Sequence, residues 1–410
     1  TDDRRRGRPT QQGSNVITDL SRDLREALVK QLIVEEALTS DAWVQAARAV
    51  PREAFVSSYF EQIDQPGRIT TYKPRLRETA EPSEWLKEIY TNQTLITQLN
   101  CGTWPEDVVE EPHGSPSSSS TLPSLVLRML EELDVRDGDK VLEIATGTGY
   151  STALLCERLG AENVTSIEYD SEVARRAADA LNGLGYRPKL ITGDGLDGDP
   201  DSAPFDRIIA TCSVRAIPAT WFEQAKPGTT ILATLVGSMF GNALAKLSVT
   251  DAKTATGRIL PGYTSFMPAR SQTIPLDPKV NLLDDVPDEP TNVGPDIFDD
   301  WTGRYIAQLK APYVVHSPML TMDSDDELNY IVDQRDGSIA ILTPRGDGWQ
   351  VRQSGPRRLW DEIAEIITEW RAGGSPFMDR FLIHAEPDAY TVTIGGTDIN
   401  WRTEPGAAIT

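Results

Sequence analysis

Between Lys140 and Val236 the chain alternates strand-like and helix-like stretches, and this alternation narrows the fold more than any other feature. Lys140–Ala145 is a strand-length apolar run, and Ser151–Leu159 has helical character. Asn163–Glu168 reads as a strand, and Ser171–Leu184 as a helix stopped by Gly185. Pro188–Thr192, Phe205–Thr211 and Thr229–Val236 complete the strands. Strands separated by helices pair in parallel and bury both faces. The order therefore predicts an α/β class fold with a doubly wound, mostly parallel sheet.

The flanking regions have other grammars. Residues 1–20 read as a disordered tail. Leu24, Leu28 and Leu32 then repeat at helical spacing, and Ser40-Asp41 opens a second helix that Pro51 ends. These belong to an N-terminal region, 21–113, whose stretch from 61 to 112 is expected to be irregular apart from one helix near 82–100. The core spans 114–270. It begins with a serine-rich loop, Gly114 to Ser120, before a helix opened by Thr121-Leu-Pro123. Residues 271–300 are rich in Pro and Asp and read as a linker. Residues 301–410 read as a smaller C-terminal α+β domain. Its strands are Tyr330–Asp333, Ser338–Thr343, Trp349–Gln353, Phe381–Ala385 and Tyr390–Ile394, with a helix from Leu359 to Trp370. Five of the nine tryptophans lie there, suited to a small core or to a peptide groove.

Charge and composition exclude several functions. Acidic residues outnumber basic ones 62 to 40, for a formal net charge of −22, which opposes nucleic-acid binding. No apolar run approaches the ~20 residues of a membrane span, and no signal peptide is read near residue 1. Three widely spaced cysteines, Cys101, Cys156 and Cys212, give neither a disulfide framework nor zinc spacing and suit a reducing cytoplasm. Three scattered histidines give no metal cluster, so no metal is expected.

The chemistry concentrates in Val141-Leu-Glu-Ile-Ala-Thr-Gly-Thr-Gly-Tyr150, between a strand and a helix. Glycines at 147 and 149 let the backbone turn tightly and approach a ligand at the strand ends. Glu168 ends the next strand, 19 residues after Gly149, where an acid accepts ribose hydroxyls. Gly193-Asp194-Gly195 follows the third strand, and Asp194 is placed to take an adenine amine. There is no third dinucleotide glycine and no Walker lysine, and Glu143 puts an acid in the strand before the loop. That disfavours pyrophosphate and favours a cationic ligand. S-adenosylmethionine (AdoMet), with its sulfonium and ammonium, fits, and S-adenosylhomocysteine would be its product. The expected cofactor contacts are Glu143, Ala145, Thr146, Gly147, Gly149, Tyr150, Glu168, Tyr169, Gly193, Asp194, Gly195 and Thr211.

At these residues the sequence resembles the protein-L-isoaspartate O-methyltransferases, which are class I AdoMet-dependent, Rossmann-like enzymes. The matching stretches are Ala49-Val-Pro-Arg-Glu-Ala-Phe55, the 141–150 loop, Gly193-Asp-Gly195, Ala203-Pro-Phe-Asp-Arg-Ile-Ile209 and Gln224-Ala-Lys-Pro-Gly228. The resemblance covers about residues 20–270. It implies a methyl-transfer motif at Thr121-Leu122-Pro123, where Thr121 replaces the family serine, and it places Ala145 where the family has glycine. The C-terminal extension is similar to a branch found in actinobacterial peptide-maturation clusters. That likeness implies methylation of an Asp side chain in a ribosomally made, modified precursor peptide (lanthipeptide, graspetide or imide-containing), leading to aspartimide and then isoaspartate.

A carboxylate acceptor is already ionised at neutral pH, the free Asp side chain having a pKa of ~3.9, so no general base is required. Positioning and exclusion of water are then the main catalytic devices. Thr121 is the first candidate to hold the acceptor, followed by Ser120 and Ser119, with helix capping as the competing role. Ser118, His113 and Arg215 are the candidate substrate contacts. Three functions compete: a peptide-maturation aspartyl methyltransferase, a repair methyltransferase acting on isoaspartate, and a non-catalytic AdoMet-dependent peptide-binding module.

Overall fold

The computed structural model describes residues 11–64, 70–273, 283, 286–320 and 327–405. The chain divides into a first unit ending at Gly193 and a second beginning at Asp194, so the division falls inside the expected 114–270 core.

The first unit opens with α1 (Gln11–Val34) and α2 (Asp41–Ala49), followed by a 3-10 turn at Arg52–Ala54. Helix α1 starts well before residue 21. The expected tail is therefore helical from Gln11, and residues 1–10 lie outside the described residues. The Leu repeat buries Leu28 and Leu32, while α2 turns Trp43, Val44, Ala46 and Ala47 inward.

Residues 58–120 are not irregular. They form β1 (Ser58–Ile63), β2 (Thr71–Leu76), α3 (Pro82–Ile89), β3 (Leu95–Leu99) and β4 (Pro116–Ser120). The four strands make an antiparallel sheet in the order β2-β1-β3-β4. The serine-rich segment expected as a loop is thus an edge strand. Its partner is β3, with the register Leu95↔Ser120 and Ile96↔Ser119. Tertiary pairing here overrides the weak strand preference of serine.

Helix α4 (Pro123–Leu133) starts with Pro at its first position, and β5 (Val141–Ile144), α5 (Tyr150–Leu159), β6 (Val164–Glu168), α6 (Ser171–Gly183) and β7 (Lys189–Thr192) follow. β5, β6 and β7 pair in parallel, in the expected α/β pattern.

In the second unit β8 (Phe205–Val214) runs parallel to β9 (Ala225–Leu235), with the short α7 (Ala219–Glu223) between them. β10 (Ala243–Asp251) and β11 (Thr254–Ile259) continue this sheet antiparallel, beyond the stretch in which parallel strands were expected, so the sheet is mixed. The cause is connection length: a turn of two residues, Ala252 and Lys253, joins β10 to β11, and short turns permit only antiparallel neighbours.

Beyond residue 286 come β12 (Glu289–Thr291), α8 (Trp301–Lys310), β13 (Val314–Leu320), β14 (Glu327–Asp333), β15 (Ile339–Arg345), β16 (Gly348–Ser354), α9 (Leu359–Ala372), β17 (Phe381–Glu386), β18 (Ala389–Ile394) and β19 (Asn400–Thr403). They do not form one separate α+β domain. β12 to β16 make their own five-stranded antiparallel sheet. β17 instead pairs with β11 (Ala255↔Ala385), carrying β18 and β19 into the sheet of β9–β11. The expected linker also takes part, since Thr291 pairs with Trp349, and Ile297 and Phe298 are buried. Trp360, Trp370 and Trp401 are buried, and their indole N–H groups donate to Thr291 Oγ1, the Pro376 carbonyl and Glu369 respectively. These three tryptophans are core, not groove.

Candidate active site

The glycine loop leaves β5 and enters α5 through an unusual backbone. Gly147 has φ +56° and Gly149 has φ +89°, both in the left-handed region. At Gly149 a Cβ would also stand 3.3 Å from Ala177 Cβ on α6, so only glycine suits the position. Ala145, at φ +69°, is in the same region without glycine's freedom, at a cost of about 1–2 kcal/mol. Ala145→Gly is therefore expected to raise stability by about 1 kcal/mol, the relieved strain exceeding the added unfolded-state entropy. A urea-unfolding midpoint that stays put or falls would contradict this.

Glu143 is fully buried, and its carboxylate accepts hydrogen bonds from Ser151 Oγ (2.5 Å), Thr152 Oγ1 (2.5 Å) and Ser166 Oγ (2.7 Å). Thr146 Oγ1 joins the same cluster through Ser166 Oγ at 2.7 Å. Burial raises the Glu143 pKa above its ordinary value, against the three hydroxyls, which lower it. Glu143 has an internal role: one acid fastens β5, the start of α5 and β6 beneath the loop. Thr146 shares that role. Tyr150 is likewise interior, its ring edge-on to Phe55 at 5.9 Å.

Glu168 stands at the end of β6 and holds the loop from outside. Its two carboxylate oxygens accept from Gly147 N (2.9 Å) and Asp170 N (3.0 Å). Tyr169, next in sequence, is half exposed, and Gly193 N donates to the Glu168 carbonyl at 2.9 Å.

The serine strand lies across from this loop. A Cβ at Gly147 would lie 3.5 Å from the Ser119 carbonyl oxygen. The cleft here is lined by Phe55, Ser58, Thr97, Ser118, Gly147 and Arg176, among others. Strand alternation separates the serines. Ser118 and Ser120 are buried, with Ser118 Oγ accepting from Thr97 Oγ1 at 3.2 Å and Ser120 Oγ from Arg52 Nε at 3.4 Å. Ser119 is part-exposed on the other face.

Thr121 follows the strand and is half-buried. Capping does not account for it. Helix α4 has no side-chain cap at its N-cap residue, Leu122, and Asn92 Oδ1 accepts from Ser124 N (3.0 Å) while Thr94 Oγ1 accepts from Leu122 N (3.2 Å). Among the described residues the Thr121 hydroxyl has no hydrogen-bond partner. His113 is exposed, its Nδ1 3.2 Å from the Thr70 carbonyl, and is not a lining residue of the cleft.

Two residues of this region were not anticipated. Arg176 projects from α6, lies 3.7 Å over the Trp104 ring and donates to Glu106 at 2.6 Å. Arg52 is a buried hub of carbonyl contacts. The position of Arg52 in the 49–55 motif was the available signal.

Residues 78–255 match the family model described as Protein-L-isoaspartate(D-aspartate) O-methyltransferase (PCMT). The Protein-L-isoaspartate O-methyltransferase of Ignicoccus hospitalis is 42% identical over 108 residues, 26% of this chain and 51% of the relative. Against this relative and those of Archaeoglobus fulgidus and Christiangramia forsetii, the chain spans about half of the relative's length. The protein of the same name from Methanococcus aeolicus is 38% identical over 210 residues, 51% of this chain and 78% of the relative. The chain belongs to the protein-L-isoaspartate O-methyltransferase family. A solved structure described as a protein-L-isoaspartate O-methyltransferase aligns with 92% of this chain and 99% of its own, at 18% identity and a TM-score of 0.49.

The remaining residues singled out from the family motifs open the second unit. Asp194 Oδ1 accepts from Leu196 N at 3.0 Å, capping a 3-10 turn, and its other oxygen has no partner among the described residues. The Gly195 carbonyl is fixed by Trp221 Nε1 at 3.0 Å. Thr211 is half-buried on β8. Arg215 is not a free anion contact. Its guanidinium donates to the Pro312 carbonyl (2.8 Å) and Ser238 Oγ (3.1 Å) and lies 4.6 Å from the Tyr313 ring centroid. Among the described residues no three His, Cys, Asp or Glu side chains gather as a metal site, and no helix is long and apolar enough to cross a membrane.

Proposed function

We propose that this protein is an AdoMet-dependent carboxyl O-methyltransferase acting on isoaspartyl residues of proteins or peptides. The observation that carries the reading is the approach of the Gly147 loop to the Ser119 carbonyl, which sets a cofactor loop beside the strand leading to the unpartnered Thr121 hydroxyl. When bound, AdoMet supplies an electrophilic methyl group on sulfur, and its transfer to a carboxylate oxygen leaves S-adenosylhomocysteine and an ester.

The chain's own residues do the rest. Gly147 and Gly149 open the loop, Glu168 is the acceptor proposed for ribose hydroxyls, and Asp194 is the acceptor proposed for the adenine amine. Thr121 donates a hydrogen bond that orients the acceptor carboxylate, with Ser119 beside it. The acceptor is ionised at neutral pH, so the absence of histidine from the cleft lining is consistent with the chemistry.

Asp194→Ala should weaken AdoMet binding about tenfold, as expected for loss of a hydrogen bond to a charged group. Asp194→Asn can keep the Leu196 cap through its Oδ1, but it then turns an NH2 donor toward the adenine amine and should lose about as much. Calorimetry giving wild-type affinity for the alanine variant would remove Asp194 from the adenine site.

A second reading is methylation of an Asp side chain in a modified precursor peptide, followed by closure to aspartimide. It is favoured by the ordered sheet β12–β16 and helix α9, which lie beyond the family match ending at residue 255. Labelled AdoMet offered with an isoaspartyl peptide, its linear Asp counterpart and a macrocyclic Asp peptide separates the two. Label in the isoaspartyl peptide supports repair-type chemistry. Label, or loss of one water, only in the macrocycle supports the second reading. AdoMet binding with no transfer to any of them leaves a non-catalytic binding module.

A further inference from the structure

We propose that Arg52 is a positioning residue that suspends the acceptor segment Ser120–Ser124 from the connector 89–94 and so fixes where the Thr121 hydroxyl points. The catalytic half of this inference rests on the methyltransferase reading above.

The side chain has no solvent exposure. Its guanidinium donates to the carbonyls of Ile89 (2.8 Å), Thr91 (2.9 Å) and Gln93 (2.8 Å) on the connector between α3 and β3. It also donates to the carbonyls of Ser120 (3.2 Å) and Thr121 (3.3 Å), and through Nε to Ser120 Oγ (3.4 Å). No carboxylate is among these partners. An interior cation held by neutral oxygens alone is costly, and burial draws its pKa down to about 10, which still leaves it charged at neutral pH. A plain hydrophobic staple would fill the space without that cost. What a staple lacks is a planar fork of five N–H donors able to grip two chain segments at once.

The two segments it grips are joined again beside it. Asn92 Oδ1 accepts from Ser124 N and Thr94 Oγ1 from Leu122 N. From Ser120 to Ser124 the backbone therefore hangs on residues 89–94 and on Arg52, and the Thr121 hydroxyl is left without a protein partner. No hydrogen bond among the described residues holds it, so the position of its backbone sets where it can reach. A lysine at 52 would keep the charge and lose the fork, and a reorientation of under an ångström at a reacting contact is enough to slow a displacement strongly.

The test uses the full chain as wild type, Arg52→Lys, Thr121→Ala and the double variant. Arg52→Lys should lower kcat for the accepted peptide about tenfold while leaving the AdoMet Kd within about twofold. In the Thr121→Ala background the same change should alter kcat by less than about twofold, because Arg52 acts through Thr121. Independent multiplication of the two losses, or a kcat loss matched by lost AdoMet affinity, overturns the proposal.

Amide hydrogen exchange supplies an arm that needs no turnover. Arg52→Lys should speed exchange at Leu122 and Ser124 and leave β5 and β6 unchanged, and unchanged exchange at 120–124 overturns the proposal. If Arg52→Lys does not fold, Thr94→Val at an exposed position loosens the same segment. It should cut kcat several-fold at unchanged melting temperature, and a wild-type kcat there counts equally against the idea. A wild type that transfers methyl to none of the acceptors sinks the methyltransferase reading, and the exchange arm still decides the suspension.

Discussion

Glu143→Ala is expected to destabilise the protein by about 3–5 kcal/mol, enough to lower the urea midpoint sharply. The carboxylate is the common acceptor for Ser151, Thr152 and Ser166, hydroxyls from α5 and β6 that are buried with it. Removing it strands three donors and opens a cavity, and only Ser166 has an alternative partner, Thr146. Glu143→Gln should lose far less, because its amide oxygen still accepts and the hydroxyls can rotate to accept from its NH2 group.

The glutamine variant also exposes the sign of the ionisation. Burial, aided by the charge of Glu168, raises the folded-state pKa above the ordinary value of 4.5. The folded protein thus holds this proton more tightly than the unfolded chain does. That contribution to stability is fully present below about 4.5 and is lost as pH rises through the folded pKa. Glutamine is neutral throughout, so the stability of Glu143→Gln relative to wild type should improve from pH 4.5 to pH 8. A difference that stays flat, or moves the other way, would show that the folded-state pKa is not raised by burial.

The parts of this fold that were legible in the sequence are those written locally. β5, β6 and β7 are strand-length runs separated by helices with clear stops, and the sequence intervals fall close to the observed ones. What was hidden depends on distant partners. The Pro116–Ser120 strand exists because β3 offers it a backbone ladder together with Thr97 and Gln98, which hydrogen-bond its serines, and nothing in five residues of Pro and Ser reports that. β17 to β19 are visible as strands, but their attachment to β11, more than 120 residues earlier, is not.

The same division runs through the site. Gly147 and Gly149 announce themselves through backbone conformation, and Ala145 keeps that conformation without the residue suited to it. Glu143 was legible as an important acid, but its structural partners were not, because the three hydroxyls that enclose it come from positions 151, 152 and 166. Arg215 and His113 carry the right chemistry in the wrong surroundings: one is tied to Pro312, Ser238 and the Tyr313 ring, the other sits exposed at Thr70. Arg52 lies within the 49–55 motif, but its carbonyl partners at 89–93 and 120–121 are set by the fold and leave no pattern in the sequence.

Thr121→Ala should lower kcat about 100-fold on the accepted peptide with AdoMet affinity changed less than twofold, while Thr121→Ser restores most of the rate. Deletion of one pre-oriented donor at a reacting centre has an effect of this size. The alanine variant should fold normally, because the caps of α4 come from Asn92 and Thr94 and its backbone carbonyl still receives Arg52. The serine variant discriminates between hydroxyl and methyl: if Thr121 matters through packing, serine will behave as alanine does. A parallel loss of AdoMet affinity would move Thr121 into the cofactor pocket. An unchanged kcat would transfer the acceptor role to Ser119, the part-exposed neighbour whose carbonyl faces Gly147, and Ser119→Ala would then carry the loss.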